Sequence, residues 1–168
     1  MLKRLSLFLV FSSFLIGMVG CTCKPAVIGS LPVTLHPQET QNWCWAASGQ
    51  MVMDYLGHNV SQCTEANNRF GRTSAPLTWD QLREQISNES YCKKKPFAFS
   101  WGWLGGGGHM MVAKGYLTLA GTNYVVIMDP WAPCVGDERI ITYDFYNADP
   151  TDHTHWDDYY DVTYTGGK

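Results

Sequence analysis

The segment Gln38–Ser48 places Cys44 in the first turn of a predicted helix. The helix dipole and the unpaired N–H groups of a first turn favour a thiolate over a thiol. A thiolate is the form of cysteine that attacks a carbonyl carbon, so Cys44 is a candidate nucleophile. The oxyanion produced by that attack needs hydrogen-bond donors. The backbone N–H of Cys44 and the side-chain amide of Gln38 are the candidate donors.

Two further residues have types that suit proton transfer to and from such a nucleophile. His109 follows four consecutive glycines and opens an apolar strand, where it can act as general base and later as general acid. Asp129 ends the next predicted strand and is followed by Pro130. A hairpin between the two strands returns Asp129 towards His109, where a carboxylate would hold the orientation of the imidazole.

The order of these motifs resembles that of the papain-like cysteine peptidases. A Gln, five intervening residues, Cys-Trp-Ala-Ala, then Gly-Gly-His and Asp-Pro are similar to compact bacterial members, of the avirulence-effector type and the type that trims double-glycine leaders. The resemblance covers roughly residues 35 to 145. It implies that Gln38 serves the oxyanion hole, Cys44 is the nucleophile, His109 the base and Asp129 the orienting acid. It also implies that Trp131 shields the contact between His109 and its partner.

The function implied is hydrolysis of peptide bonds through a Cys44 thioester, with His109 as general base and acid. The substrate is then a peptide or protein, and no cofactor is required. Two alternatives remain open at this point. One is an acyl or amide transferase with the same three residues, and the other is a non-catalytic envelope binding lipoprotein that uses the same cleft.

The first residues of the chain are typical of an export signal. Lys3 and Arg4 precede an apolar run from Leu5 to Val19, and residues 1–20 are therefore assigned as a signal peptide. The sequence Met18-Val19-Gly20-Cys21 resembles the lipobox of bacterial lipoproteins, which implies lipidation of Cys21. We expect a protein anchored by lipid in the bacterial cell envelope, at the outer membrane on its periplasmic or surface face.

Charge excludes one class of partner. Loss of Lys3 and Arg4 with the signal leaves 10 of the 12 basic residues against 15 acidic ones, a net charge of −5. Nucleic-acid binding needs clustered Lys and Arg, so no nucleic-acid partner is expected. A group of acidic residues and histidines near the C-terminus suggests a metal site, but no further ligand is placed by spacing, and none is assigned. Its members are Asp152, His153, His155, Asp157 and Asp158.

The chain has six cysteines, which an oxidising compartment allows to form disulfides. With Cys21 lipidated and Cys44 catalytic, four cysteines remain and three pairings are open. Cys63 and Cys92 flank one predicted helical hairpin, which favours that pair.

Helical patterns come first and strand patterns follow, which predicts an α+β fold of the papain-like type. In it the catalytic helix packs on a C-terminal antiparallel sheet, with residues 21–35 as an extended tether and residues 36–168 as one peptidase domain. The predicted helices run from Trp43 to Leu56 and from Thr78 onwards. The predicted strands are Phe97–Trp101, Met110–Tyr116, Tyr124–Met128, Arg139–Tyr143 and an edge strand, Asp157–Tyr164.

Overall fold

The computed structural model describes residues 22–39, 43–62 and 76–162. Over these residues the chain combines short helices with an antiparallel sheet, and the α+β class is confirmed. The helices are α1 (Cys44–Tyr55), α2 (Trp79–Ile86) and α3 (Tyr143–Asn147). The strands are β1 (Ile28–Ser30), β2 (Phe97–Trp103), β3 (Gly108–Leu119), β4 (Thr122–Asp129), β5 (Asp137–Thr142), β6 (Ala148–Asp149) and β7 (His153–Tyr159).

The sheet brings the ends of β3 and β4 together. Within the described part of the chain its strand order is β5-β4-β3-β2-β7-β6, and β1 pairs with β3. The β3–β4 hairpin turns at Ala120 and Gly121, both of which have positive φ. Its register runs from Leu119 opposite Thr122 to Val112 opposite Met128. The start of β3 and the end of β4 therefore lie side by side, as the sequence predicted.

Helix α1 crosses the sheet with its first residue at that same end. Its apolar face, which includes Ala47, Met51 and Val52, is buried in the core. The helix terminates before Gly57, whose φ of +85° suits glycine far better than other residues. Burial of the apolar face fixes the helix against the sheet and so fixes the position of its N-terminus.

The prediction that residues 21–35 form an extended tether is wrong for the second half of that segment. Ile28–Ser30 pairs with β3, and Leu31 and Val33 are only 1% and 5% exposed. A Cβ at Gly29 would lie 2.9 Å from the ring of Tyr116, so glycine permits this close approach. Full burial of a Leu or Val side chain contributes roughly 1.5–3 kcal/mol, which draws the segment into the domain.

The predicted pairing of Cys63 with Cys92 is also wrong, because Cys92 forms its disulfide with Cys23. Cys63 itself lies outside the described residues. The N-terminal segment runs back across α2, where Arg83 Nη2 donates to the carbonyl oxygens of Pro25 (3.0 Å) and Ala26 (3.2 Å). This packing brings Cys23 to Cys92. The sequence-based pairing considered only which cysteines flank a predicted helical hairpin, so it could not detect this long-range contact.

The last strand begins earlier than predicted, at His153 rather than Asp157. β7 pairs with β2 along its length and with β6 only through His153 and Thr154, so Asp157–Tyr159 lies at the edge of the sheet, as predicted. Residues 163 and 164 of the predicted strand lie outside the described residues. Nothing in the described ranges is a helix both long and apolar enough to cross a membrane.

Candidate active site

Cys44 is the first residue of α1 and lies against the start of β3. Its Sγ accepts a hydrogen bond from the Met110 backbone N–H at 3.4 Å. Burial raises the pKa of the thiol, but a side-chain hydrogen bond with His109, the N–H groups of Met110 and Trp45 and the charge on His109 outweigh burial. The net result is a pKa for Cys44 below its ordinary value.

His109 bridges Cys44 and Asp129. The ring is 8% exposed, and its Nε2 lies 2.6 Å from Oδ1 of Asp129. This leaves Nδ1 for the side-chain hydrogen bond with Cys44. Burial disfavours the charged ring, yet the hydrogen bonds and charges of Asp129 and Cys44 raise the pKa of His109 to about 9.

Asp129 is the last residue of β4 and its carboxylate has several donors. Oδ1 also accepts from the Trp131 backbone N–H at 3.0 Å, and Oδ2 forms an ion pair with Arg139. Burial raises the pKa of Asp129, but the His109 hydrogen bond, the Trp131 N–H and the Arg139 charge bring it below its ordinary value. Asp129 is therefore an ionised acceptor that holds the imidazole.

Gln38 lies on the segment before α1 and is fully buried beside the same cleft. Its backbone N–H donates to the Pro130 carbonyl at 3.1 Å, and its carbonyl accepts from the Cys134 N–H at 3.0 Å. The loop between β4 and β5 thus holds Gln38 in place from one side. The structure brings together all four residues that the sequence predicts for the chemistry: Gln38, Cys44, His109 and Asp129 line one cavity.

That cavity has a volume of about 560 Å³ and largely aromatic walls. Trp103 stacks against the His109 ring at 6.0 Å between centroids, and Trp131 meets the same ring edge-on at 6.4 Å. Gly106 and Gly107, with φ of +92° and +83°, form a turn at its rim. An aromatic enclosure limits water around the imidazole while the rim stays open to a ligand.

Several wall residues were not identified from the sequence as part of this site. Trp103, Phe145 and Asp152 reach the cavity from β2, α3 and the turn before β7. Arg139 reaches it from β5, where it stands opposite Ile127, the residue two before Asp129 on β4. Diagonal neighbours on paired strands are within reach of a long side chain, so the β4–β5 register would have revealed Arg139.

The two pKa shifts of the pair have opposite directions. A lowered pKa of Cys44 and a raised pKa of His109 both favour transfer of the thiol proton to the imidazole. That transfer would give a thiolate beside an imidazolium, the form in which a cysteine acts as a nucleophile.

The acidic and histidine residues near the C-terminus are engaged in the fold. His153 is fully buried, stacks on Trp101 at 3.7 Å and donates from Nε2 to the Phe145 carbonyl at 2.9 Å. His155 contacts the Tyr146 carbonyl at 3.0 Å and Asp158 at 3.1 Å. In the part of the chain that the structure describes, no three His, Cys, Asp or Glu residues are grouped as metal ligands. Cys21 lies outside the described residues.

Comparison with known proteins points to the same class of site. Residues 28–93 match the model of a family described as papain-like cysteine protease AvrRpt2. The matched range contains Gln38 and Cys44 and ends before His109 and Asp129. No curated protein and no solved structure matches the chain. The chain is thus similar over these residues to papain-like cysteine proteases, a similarity that supports a peptidase.

Proposed function

We propose that this protein is a papain-type cysteine peptidase that hydrolyses peptide bonds through an acyl-enzyme on Cys44. The observation that carries the proposal is the chain of contacts from the Cys44 thiol through the His109 ring to the Asp129 carboxylate. Three separate elements supply these residues, namely the start of α1, the start of β3 and the end of β4. The family match adds support, because it includes the Cys44 segment.

The proposed reaction begins with attack of the Cys44 thiolate on the peptide carbonyl carbon. The carbonyl π electrons move to oxygen, and the oxyanion accepts hydrogen bonds from the Cys44 backbone N–H and the Gln38 side-chain amide. When the C–N bond breaks, the His109 imidazolium gives its proton to the departing amine, which leaves a thioester and a neutral imidazole. Water then gives a proton to His109 and adds to the thioester, so that the acid product departs and the thiolate–imidazolium pair returns.

The state of Cys44 also favours catalysis over the binding-only alternative. A purely binding protein has no need of a free thiol beside a charged imidazole. Cys44 is free and paired with His109, whereas Cys23 and Cys92 form the disulfide. Release of a free acid rather than a new amide, in the presence of a competing amine, would support hydrolysis over amide transfer.

The test uses an epoxide that reacts with activated thiols, applied to the purified domain and followed by mass spectrometry. We expect labelling at Cys44 and its complete loss in Cys44→Ala. His109→Ala should lower the labelling rate by about two orders of magnitude, the range that general acid–base groups contribute.

Cys134 supplies the matched control, because it is the other free cysteine of the described residues and is exposed. Cys134→Ser should leave the labelling rate unchanged. Labelling that persists in Cys44→Ala, or that disappears in Cys134→Ser, would overturn the assignment of the nucleophile.

We further propose that residues 1–20 are removed on export and that a lipid on Cys21 anchors the domain in the cell envelope. Support comes from the lipobox-like sequence and from the Cys23–Cys92 disulfide, since such bonds persist in oxidising compartments. Cys21→Ser should release the protein from membranes during cell fractionation. Unchanged membrane association of that variant would contradict the anchor and leave the peptidase proposal intact.

A further inference from the structure

Gln62 is a buried glutamine next to the segment that carries Gln38, and it is only 1% exposed. We propose that its side-chain amide positions the oxyanion hole by clamping the backbone on both sides of Gln38. The inference rests on the proposed function, because it gives Gln62 a part in that same site. Gln62 is a positioning residue here and does not contact the reacting atoms.

The backbone groups of Gln38 and of its two neighbours are hydrogen-bonded to two different parts of the protein. On one side the groups of Gln38 itself are paired with the β4–β5 loop, through Pro130 and Cys134. On the other side lie the carbonyl of Pro37 and the N–H of Glu39. A strand in that place would normally supply their partners.

Gln62 takes the place of such a strand with one side chain. Its Nε2 donates to the Pro37 carbonyl at 2.8 Å, and its Oε1 accepts from the Glu39 N–H at 2.9 Å. The residues before and after Gln38 are therefore held by the same amide. The backbone of Gln38 is thereby fixed on both sides.

The second N–H of the Gln62 amide joins this segment to the catalytic helix. Nε2 also donates to Oε1 of Gln50 at 3.1 Å, and Gln50 lies on α1, whose first residue is Cys44. The Gln38 amide and the Cys44 N–H are the two donors of the proposed oxyanion hole. Gln62 fixes the distance between the elements that supply them.

Only an amide satisfies all three bonds without introducing charge. A primary amide has two N–H donors and one acceptor oxygen, and each of them is used here. Catalysis depends on donors placed within a fraction of an ångström of the developing oxyanion. Loss of the clamp should thus impair reactions that form an oxyanion more than reactions that need only the thiolate.

The experiment compares two reactions of Cys44 in Gln62→Met, which keeps the length of the side chain and removes its polar atoms. Acyl transfer from p-nitrophenyl acetate forms an oxyanion, whereas alkylation by iodoacetamide is a displacement that does not. We expect acyl transfer to fall about tenfold, part of the effect of removing an oxyanion donor, and alkylation to stay within about twofold. Gln85→Met is the control, because it replaces another buried glutamine, on α2, outside the cavity.

The decisive measurement repeats the substitution in the Gln38→Ala background. If Gln62 acts through Gln38, Gln62→Met should slow acyl transfer there by less than about twofold, because coupled residues are non-additive. Gln62→Glu gives a second variant if Gln62→Met does not fold. It keeps an acceptor for the Glu39 N–H but places a carboxylate oxygen against the oxygens of Pro37 and Gln50, so acyl transfer should fall at least as far as in Gln62→Met.

Two outcomes would overturn the role of Gln62 alone. One is equal slowing of acyl transfer and alkylation, and the other is a full effect of Gln62→Met in the Gln38→Ala background. Failure of the proposed function would be recognised separately, by acyl transfer and alkylation that both persist in Cys44→Ala. In that case the positioning role is overturned with it.

Discussion

Four ionisable side chains form a row along the cleft, in which acidic groups alternate with basic ones. The Cys44 thiol contacts the His109 ring, which contacts the Asp129 carboxylate, which pairs with the Arg139 guanidinium. Each charge is next to one of opposite sign, so burial costs each ion less than it would cost alone. The same order explains why the pKa shifts of Cys44 and Asp129 are downward and that of His109 is upward.

The charge state predicts how the two reactions of Cys44 depend on pH. Alkylation by iodoacetamide needs only the thiolate, so its rate should rise below the usual pKa of a thiol and then remain level. Acyl transfer from a peptide to Cys44 also needs the imidazolium, because the amine that leaves must be protonated. It should rise over the same range and fall as His109 loses its proton near pH 9. Peptidase assays on fluorescent casein and alkylation rates from pH 4 to 10 measure both curves.

In His109→Ala the alkylation curve should move towards the pKa of an ordinary thiol, since the hydrogen bond and charge that lower the Cys44 pKa are gone. An unchanged curve in that variant would show that His109 does not stabilise the thiolate.

Arg139 should matter to acid–base chemistry rather than to the thiolate. Replacement by Met frees Oδ2 of Asp129 and removes a neutralising charge. We expect turnover to fall about tenfold, equivalent to 1.4 kcal/mol, because Asp129 no longer holds the His109 ring in one orientation. The alkaline fall of the peptidase pH profile should move to higher pH, because an Asp129 carboxylate without Arg139 favours the protonated His109 ring more strongly. Arg139→Lys keeps the charge and should leave the alkaline fall near its original pH. The same alkaline fall in the unchanged protein, Arg139→Met and Arg139→Lys would contradict the role of Arg139.

At the scale of elements, local patterns predicted α1, α2 and the β3–β4 hairpin. Helix periodicity, the Thr78 capping box and the Gly121 turn are each encoded within a few residues. Elements that depend on distant partners are predicted less well. β1 lies within the segment predicted to be a tether, and β7 begins four residues before the predicted strand, because the pairing of these strands with β3 and β2 is set by the overall fold.

The candidate site also contains residues that local sequence patterns predict and residues that they do not. The four residues proposed for catalysis are Gln38, Cys44, His109 and Asp129. They occur in sequence motifs, so the sequence predicted that they lie together, and they line one cavity. Arg139 and Gln62 act through contacts to atoms far away in sequence. Neither the residue type nor the adjacent sequence of Arg139 or Gln62 indicates these contacts.

The glycine turn at the cleft rim allows the effect of backbone conformation on stability to be separated from the effect of steric crowding. Gly106 has φ of +92°, and no other atom lies within 4 Å of a Cβ built there. Gly106→Ala should therefore cost stability through the backbone alone, by about 1–2 kcal/mol. Gly105 has equal space and no positive φ, so Gly105→Ala should change stability by less than about 0.5 kcal/mol.

Urea unfolding of the two glycine variants and the unchanged protein measures this difference. Equal stability of Gly105→Ala and Gly106→Ala would show that the turn adopts another conformation in solution.

At the scale of the whole molecule, the Cys23–Cys92 disulfide fastens the N-terminal segment to the domain. It fixes Cys23, five residues before β1, and β1 pairs with β3, the strand that carries His109. The sequence separation of the two cysteines is 69 residues, a long loop in the unfolded chain. Closing a loop of that length lowers the entropy of the unfolded state, which stabilises the folded state by roughly 4 kcal/mol.

We therefore expect the Cys23→Ser and Cys92→Ser variants to unfold at lower urea concentration than the unchanged protein, by similar amounts. Cys134→Ser is the matched control, because that thiol is free and exposed, and its midpoint should not move. Dithiothreitol should lower the midpoint of the unchanged protein to that of Cys92→Ser and leave Cys92→Ser where it is. A midpoint insensitive to dithiothreitol would contradict the disulfide. It would also remove the structural support for an oxidising compartment, while the arrangement of Cys44, His109 and Asp129 would stand.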